Sequence, residues 1–109
     1  MAGKYVRLLD AQVIAPNEKQ PRDQALDLGG YKQLNIQARI LKPGTAGTIF
    51  VEDAAVNEEA AFSRAIASFS VVNATNPIEV NGFLRFVRWR ADATIAGGPA
   101  LLIDVVAKE

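Results

Sequence analysis

The side chains able to do chemistry are few and grouped. Two acidic pairs, Glu52-Asp53 and Glu58-Glu59, flank residues 54–57, and a basic and aromatic cluster of Arg85, Phe86, Arg88, Trp89 and Arg90 lies further along. The chain has no histidine and no cysteine, so Ser-His-Asp and Cys-His nucleophile systems and a conventional zinc site have no members. Catalysis would fall to carboxylates, lysines or tyrosines. The acid pairs offer the oxygens a calcium ion takes, but no EF-hand spacing or acidic repeat accompanies them, and a solvated loop is the favoured reading. A glycosidase-type carboxylate pair has no signature without geometry. The glycines at 44, 47, 97 and 98 lack the Gly-Lys-Ser/Thr ending of a phosphate loop and read as turns. No catalytic residue, cofactor or metal ligand is assigned, and the expectation is a protein that is not an enzyme.

Strand alternation divides the basic cluster, sending Phe86, Arg88 and Arg90 one way and Arg85 and Trp89 the other. One reading is a strand face that stacks on a sugar or a single-stranded nucleic acid. The favoured one is structural, with Trp89 filling the core and Arg90 paired to Asp104. Charge supports it, because twelve Lys and Arg cancel twelve Asp and Glu, whereas nucleic-acid binders carry a basic excess. No nucleic-acid partner is expected.

The elements that must position these groups follow from composition and pattern. A chain of 109 residues, half of them apolar and 22% charged, buries roughly 60 to 70% of its unfolded surface and needs neither metal nor disulfide. One domain, residues 1–109, is expected. The run at 5–9 is broken by Arg7 and ended by Asp10, unlike a signal peptide. The longest uncharged stretch, 65–78, is shorter than the ~20 residues that span a bilayer. A cytoplasmic product or a component of an assembled, virion-like particle is expected, with no signal peptide and no membrane insertion.

Residues 5–14 read as a strand. Residues 15–24, with two prolines and four charges, read as a polar loop, or else an arm reaching a neighbouring subunit. Residues 25–28 form a short strand before Gly29-Gly30. Residues 31–41 then alternate, with Leu34, Ile36, Ala38 and Ile40 on one face. A hairpin through 43–46 would set Ile40 opposite Ile49 and Ala38 opposite Val51. A loop is expected at 54–61 and a strand over 62–72, although Phe62, Ala65, Ile66 and Phe69 also fit a short helical stripe. Ile78 to Val80 form a brief strand. In the last long strand Phe83, Val87, Trp89, Ala91, Ala93 and Ile95 share the core face, and its partner buries Leu101, Ile103, Val105 and Ala107. A hairpin through 96–98 would pair Trp89 with Val105, Ala91 with Ile103 and Arg90 with Asp104. Seven to eight strands with frequent turns imply an all-β antiparallel sandwich.

The order of these features suggests a family. Leu26-Asp27-Leu28-Gly29-Gly30-Tyr31, an alternating strand, a Pro/Gly turn, an acidic loop with Asn57, Phe83-Leu84-Arg85-Phe86-Val87-Arg88-Trp89 and a late Gly-Gly turn together resemble small β-sandwich proteins of tailed-phage and prophage-like particles. Arg85-Phe86-Val87-Arg88 is also similar to the Arg-Tyr-Val-Arg strand of discoidin-like jelly rolls, with Phe86 in place of tyrosine. The resemblance spans about residues 25–108. It implies a jelly-roll sandwich with a structural or surface-binding role, and it carries over no functional residue.

Phe50, Phe86, Leu102 and Val106 lie on faces opposite the core stripes. With Arg88 and Arg90 they form the candidate subunit-contact surface. The expected role is a structural or assembly protein, a component or decoration of a phage-like or other multi-subunit particle, with protein subunits as partners in a homo-oligomer or shell. The alternative is a jelly-roll carbohydrate-binding module with a glycan partner.

Overall fold

Period-two alternation gives each strand one apolar face, and folding must close those faces on one another. The computed structural model describes residues 3–109. Its strands are β1 (Gly3–Val13), β2 (Leu26–Asp27), β3 (Gln33–Lys42), β4 (Thr48–Ala54), β5 (Arg64–Ser70), β6 (Ile78–Val80), β7 (Phe86–Ala91) and β8 (Ala100–Lys108). They form two antiparallel four-stranded sheets with orders β1-β8-β3-β6 and β2-β7-β4-β5. This is an eight-stranded β-sandwich of jelly-roll type, the architecture expected from the sequence.

The inward faces are those the alternation marks. Leu34, Ile36, Ile49, Val51, Val87, Leu101, Ile103 and Val105 are wholly inaccessible, and Trp89 stands among them at 2% exposure. Ala38, Ile40 and Phe83 pack against this core from partly buried positions. Ala93 is exposed because β7 ends at Ala91 and the alternation ends with it.

Neither expected hairpin forms. β3 and β4 belong to different sheets, as do β7 and β8, so the turns at 43–47 and 92–99 are arches that carry the chain across the core. β8 instead pairs with β1 and β3, setting Ile103 opposite Leu9 and Ala38, while Trp89 lies opposite Val51. The reason is general: alternation fixes which side chains face inward, and a strand lying across the core satisfies it as well as one lying alongside. The two arches meet each other. The Thr45 amide donates to the Ala96 carbonyl (2.9 Å) and the Ala96 amide to the Ala46 carbonyl (3.0 Å).

Residues 62–72 hold β5, not a helix, with Ala67 and Phe69 buried. One 3-10 turn, Glu59–Ala61, precedes it inside the expected loop. Residues 15–24 dock on their own chain along β7. The Gln20 amide donates to the Trp89 carbonyl (3.1 Å) and the Ala91 amide to the Glu18 carbonyl (2.8 Å). The Gln20 side chain is buried, accepting from the Trp89 amide and donating to the Leu8 and Gln24 carbonyls. Among the described residues no helix is long and apolar enough to cross a membrane.

Candidate functional site

On β7, Phe86, Arg88 and Arg90 point away from the core, and strand pairing sets Ala54, Glu52 and Phe50 of β4 opposite them in turn. The Glu52 carboxylate therefore stands between two guanidinium groups. It accepts from Arg88 Nε at 3.1 Å through Oε1 and from Arg90 Nε at 3.0 Å through Oε2. Arg88 is capped from outside by the 3-10 turn: its Nη1 donates to Glu59 Oε1 (3.1 Å) and its Nη2 to Glu59 Oε2.

Both arginines of this face, and Arg85 just before β7, also lie on rings. Arg88 stands 4.4 Å over Phe62, Arg90 4.7 Å over Phe50 and Arg85 5.0 Å over Phe86, which adds cation–π attraction to the ion pairs. Arg85 is further held by Asp27, Nε to Oδ1 2.9 Å and Nη2 to Oδ2 3.0 Å. The covering segment 55–62 is tied to the 15–24 segment by Lys19 on Glu59 (3.8 Å) and by the Asn57 side-chain amide donating to the Arg22 carbonyl (3.0 Å).

Electrostatics follow from these contacts. Burial would lower the Arg88 pKa, but Glu59 and Glu52 outweigh it and raise it above the ordinary arginine value. Arg88 in turn holds the Glu59 carboxyl below the usual carboxylate range. Among the described residues every buried side-chain nitrogen and oxygen has a hydrogen-bond partner. The face is a charge-balanced, internally bonded lattice, and its geometry is suited to rigidity.

The acid pairs meet only through Glu52 and Glu59, which share Arg88, and not as a cluster of free carboxylates. Successive strand residues point to opposite faces, so Glu52 faces outward while Asp53 lies opposite inward-facing Val87. Asp53 accepts from Arg64 Nε (3.1 Å), from Arg64 Nη2 and from the Leu84 amide (2.8 Å). Among the described residues no group of three or more acidic side chains is arranged to hold a metal ion, and no concave pocket opens.

The six residues of the expected contact surface separate. Phe50, Phe86, Arg88 and Arg90 share the outer face of β2-β7-β4-β5, whereas Leu102 and Val106 lie on the opposite side of the sandwich, on β8. Arg88 is 1% exposed and is withdrawn from any contact surface, because segment 55–62 folds over it. Leu102, flanked in register by Asp10 and Arg39, is also buried. Arg90 meets Glu52, not Asp104. Asp104 accepts from Arg7 Nε (3.0 Å) and from the Tyr5 hydroxyl (2.8 Å).

Sequence reasoning missed Glu59 and Phe62 as partners of Arg88, and Tyr5 and Arg7 as partners of Asp104. A signal existed for Glu52. It shares face parity with Phe50, and setting β4 beside β7 gives both Arg88 and Arg90 one buried counter-charge. No protein-family model, curated protein or solved structure matches the chain.

Proposed function

We propose that this chain is a structural subunit that acts by assembling with other protein subunits, as a component or decoration of a phage-like or other multi-subunit particle. The observation that carries the proposal is the outer face of β1-β8-β3-β6. There Tyr5 and Val106 are direct cross-strand neighbours at 59% and 36% exposure, and Val13 stands at 63% at the far end of the same face. Tyr5 and Val106 lie side by side in water, whereas the Arg7–Asp104 and Asp10–Arg39 rows separate them from Val13; an exposed ring beside an exposed valine favours burial against a partner.

Two further features support the reading. The carboxylates and arginines able to serve chemistry are committed to one another, and the eight-stranded jelly roll is an architecture used by capsid and lectin domains, a likeness of fold only. The carbohydrate-binding alternative shares that fold, but Trp89, a ring it would use for stacking, is in the core. Light scattering of the purified chain over a concentration series tests the proposal. Mass above that of the 11.7 kDa monomer is expected, and a monomer throughout would refute it.

A further inference from the structure

A β-sandwich of two open sheets has four outer strands, and each presents unpaired backbone groups that another chain can use. Three of the four are guarded here. β1 carries Lys4, Arg7 and Asp10, is interrupted by two register shifts and holds Ala11 at φ 57°, features that twist and charge an edge. β6 has three residues and follows Pro77. β2 has two, and where it stops Lys19 already bridges to Arg90 along β7.

β5 differs from all three. It runs for seven residues, its one charge is Arg64, which Asp53 engages, and no charge follows until Glu79. Its single irregularity is a register shift beside Ile66, which leaves residues 67–70 in regular pairing with β4. Among the described residues no backbone hydrogen bond from outside β4 reaches residues 65–70. The N–H and C=O groups on the side away from β4 are therefore a free ladder.

We propose that β5 is the strand through which two copies of this chain pair, antiparallel about a two-fold axis at Ser68. The pairing joins the two β2-β7-β4-β5 sheets into one continuous sheet. It rests on the assembly reading above and names one contact within it. Charge selects the occupant. An uncharged edge gives a charged strand no counter-ion, whereas β5 of a second copy brings no like charges face to face, since each Arg64 falls beyond the other copy's Ser70. Ser68 is exposed and small, so it allows close approach and comes near its own symmetry mate. A two-fold contact of this kind is self-complementary and is the commonest symmetry of homo-oligomers.

The symmetry supplies the test. Ser68→Lys sets two positive charges together across the axis, and Ser68→Asp sets two negative ones. Each is expected to weaken self-association about fivefold at low ionic strength, and mixing the two variants is expected to restore it, which damage to folding does not do. Sedimentation velocity reads all three. If the wild type associates and both variants associate equally well, the β5 pairing is overturned while the assembly reading stands. If the wild type is monomeric throughout, both are overturned. Amide exchange on the wild type gives a second reading that needs no variant. Protection of residues 65–70 is expected to rise with protein concentration, and concentration-independent protection contradicts the proposal.

Discussion

Glu52 and Arg88 face each other on neighbouring strands with Oε1 and Nε 3.1 Å apart, each side chain only 2% exposed. A buried pair of this kind gains little over an apolar pair of equal volume, but losing Arg88 leaves the buried Glu52 carboxylate with one oxygen unpaired and only the half-exposed Arg90 as counter-charge. Arg88→Met is therefore expected to destabilise the fold by about 3 kcal/mol. Adding Glu52→Leu should cost far less than the sum of the two single changes, because half-exposed Arg90 can hydrate its own charge. Urea unfolding of the two single variants and the double variant measures this. A loss under about 1 kcal/mol for Arg88→Met would show the pair to be dispensable.

Glu59 joins the same network from the solvent side, so its removal has a local effect. Glu59→Gln is expected to speed amide exchange across residues 59–62 while the global unfolding midpoint changes little. Lys19 and Arg22 approach the same carboxylate from the 15–24 segment, so exchange there should rise as well. Unchanged exchange in both segments would mean that Arg88 does not hold the cover in place.

Acid should weaken the protein through carboxylates that the fold holds ionised. The Arg85 guanidinium, helped by the Gly29 amide, draws the Asp27 carboxyl from its ordinary 3.8 down to about 2. A depressed folded pKa gives stability that is complete above the unfolded value and is lost as pH falls through the folded one. Asp27 should therefore contribute a declining limb between about pH 4 and pH 2. Asp104 is also lowered: burial pushes it up, but the bonds from Arg7 and Tyr5 prevail. Asp27→Asn is expected to flatten the slope of stability against pH in that window, and parallel wild-type and variant curves would contradict the assignment.

The arches give a prediction that separates them from hairpins. Gly47 has φ 123°, and a Cβ there would lie 2.7 Å from the Ile95 Cα. Gly97 has φ 89°, and a Cβ there would lie 2.7 Å from the Thr45 amide nitrogen. Each alanine substitution meets both backbone strain and the opposite arch, so losses of about 2 kcal/mol or more are expected by thermal or urea unfolding. Tolerance of both would mean the arches do not pack together.

The inward faces of β3, β7 and β8 were legible in the sequence because side chains in a strand alternate with period two whatever lies beside it. Leu34, Trp89 and Ile103 needed no knowledge of neighbours. The neighbours themselves were not legible: Ala91 buries equally well beside Ile103 or, as found, beside Ile49. Arg88 illustrates the same limit at the site. Alternation correctly turns it outward, yet the residues that cover it come from a loop whose path no periodicity records. Phe86 and Val106 were grouped by parity, and the crossing at 92–99 places them on opposite sides of the molecule.

If the exposed apolar side chains of the β1-β8-β3-β6 face form the proposed subunit contact, light scattering of the wild type beside a Val13→Lys/Val106→Lys variant will separate the two. Both substituted side chains are already exposed, so the variant should keep its unfolding midpoint. The wild type is expected to exceed dimer mass as concentration rises, and the variant to stop at the dimer that the β5 edge supports. A wild type that stays at 11.7 kDa throughout, or a variant that assembles as the wild type does, would show that this face makes no subunit contact.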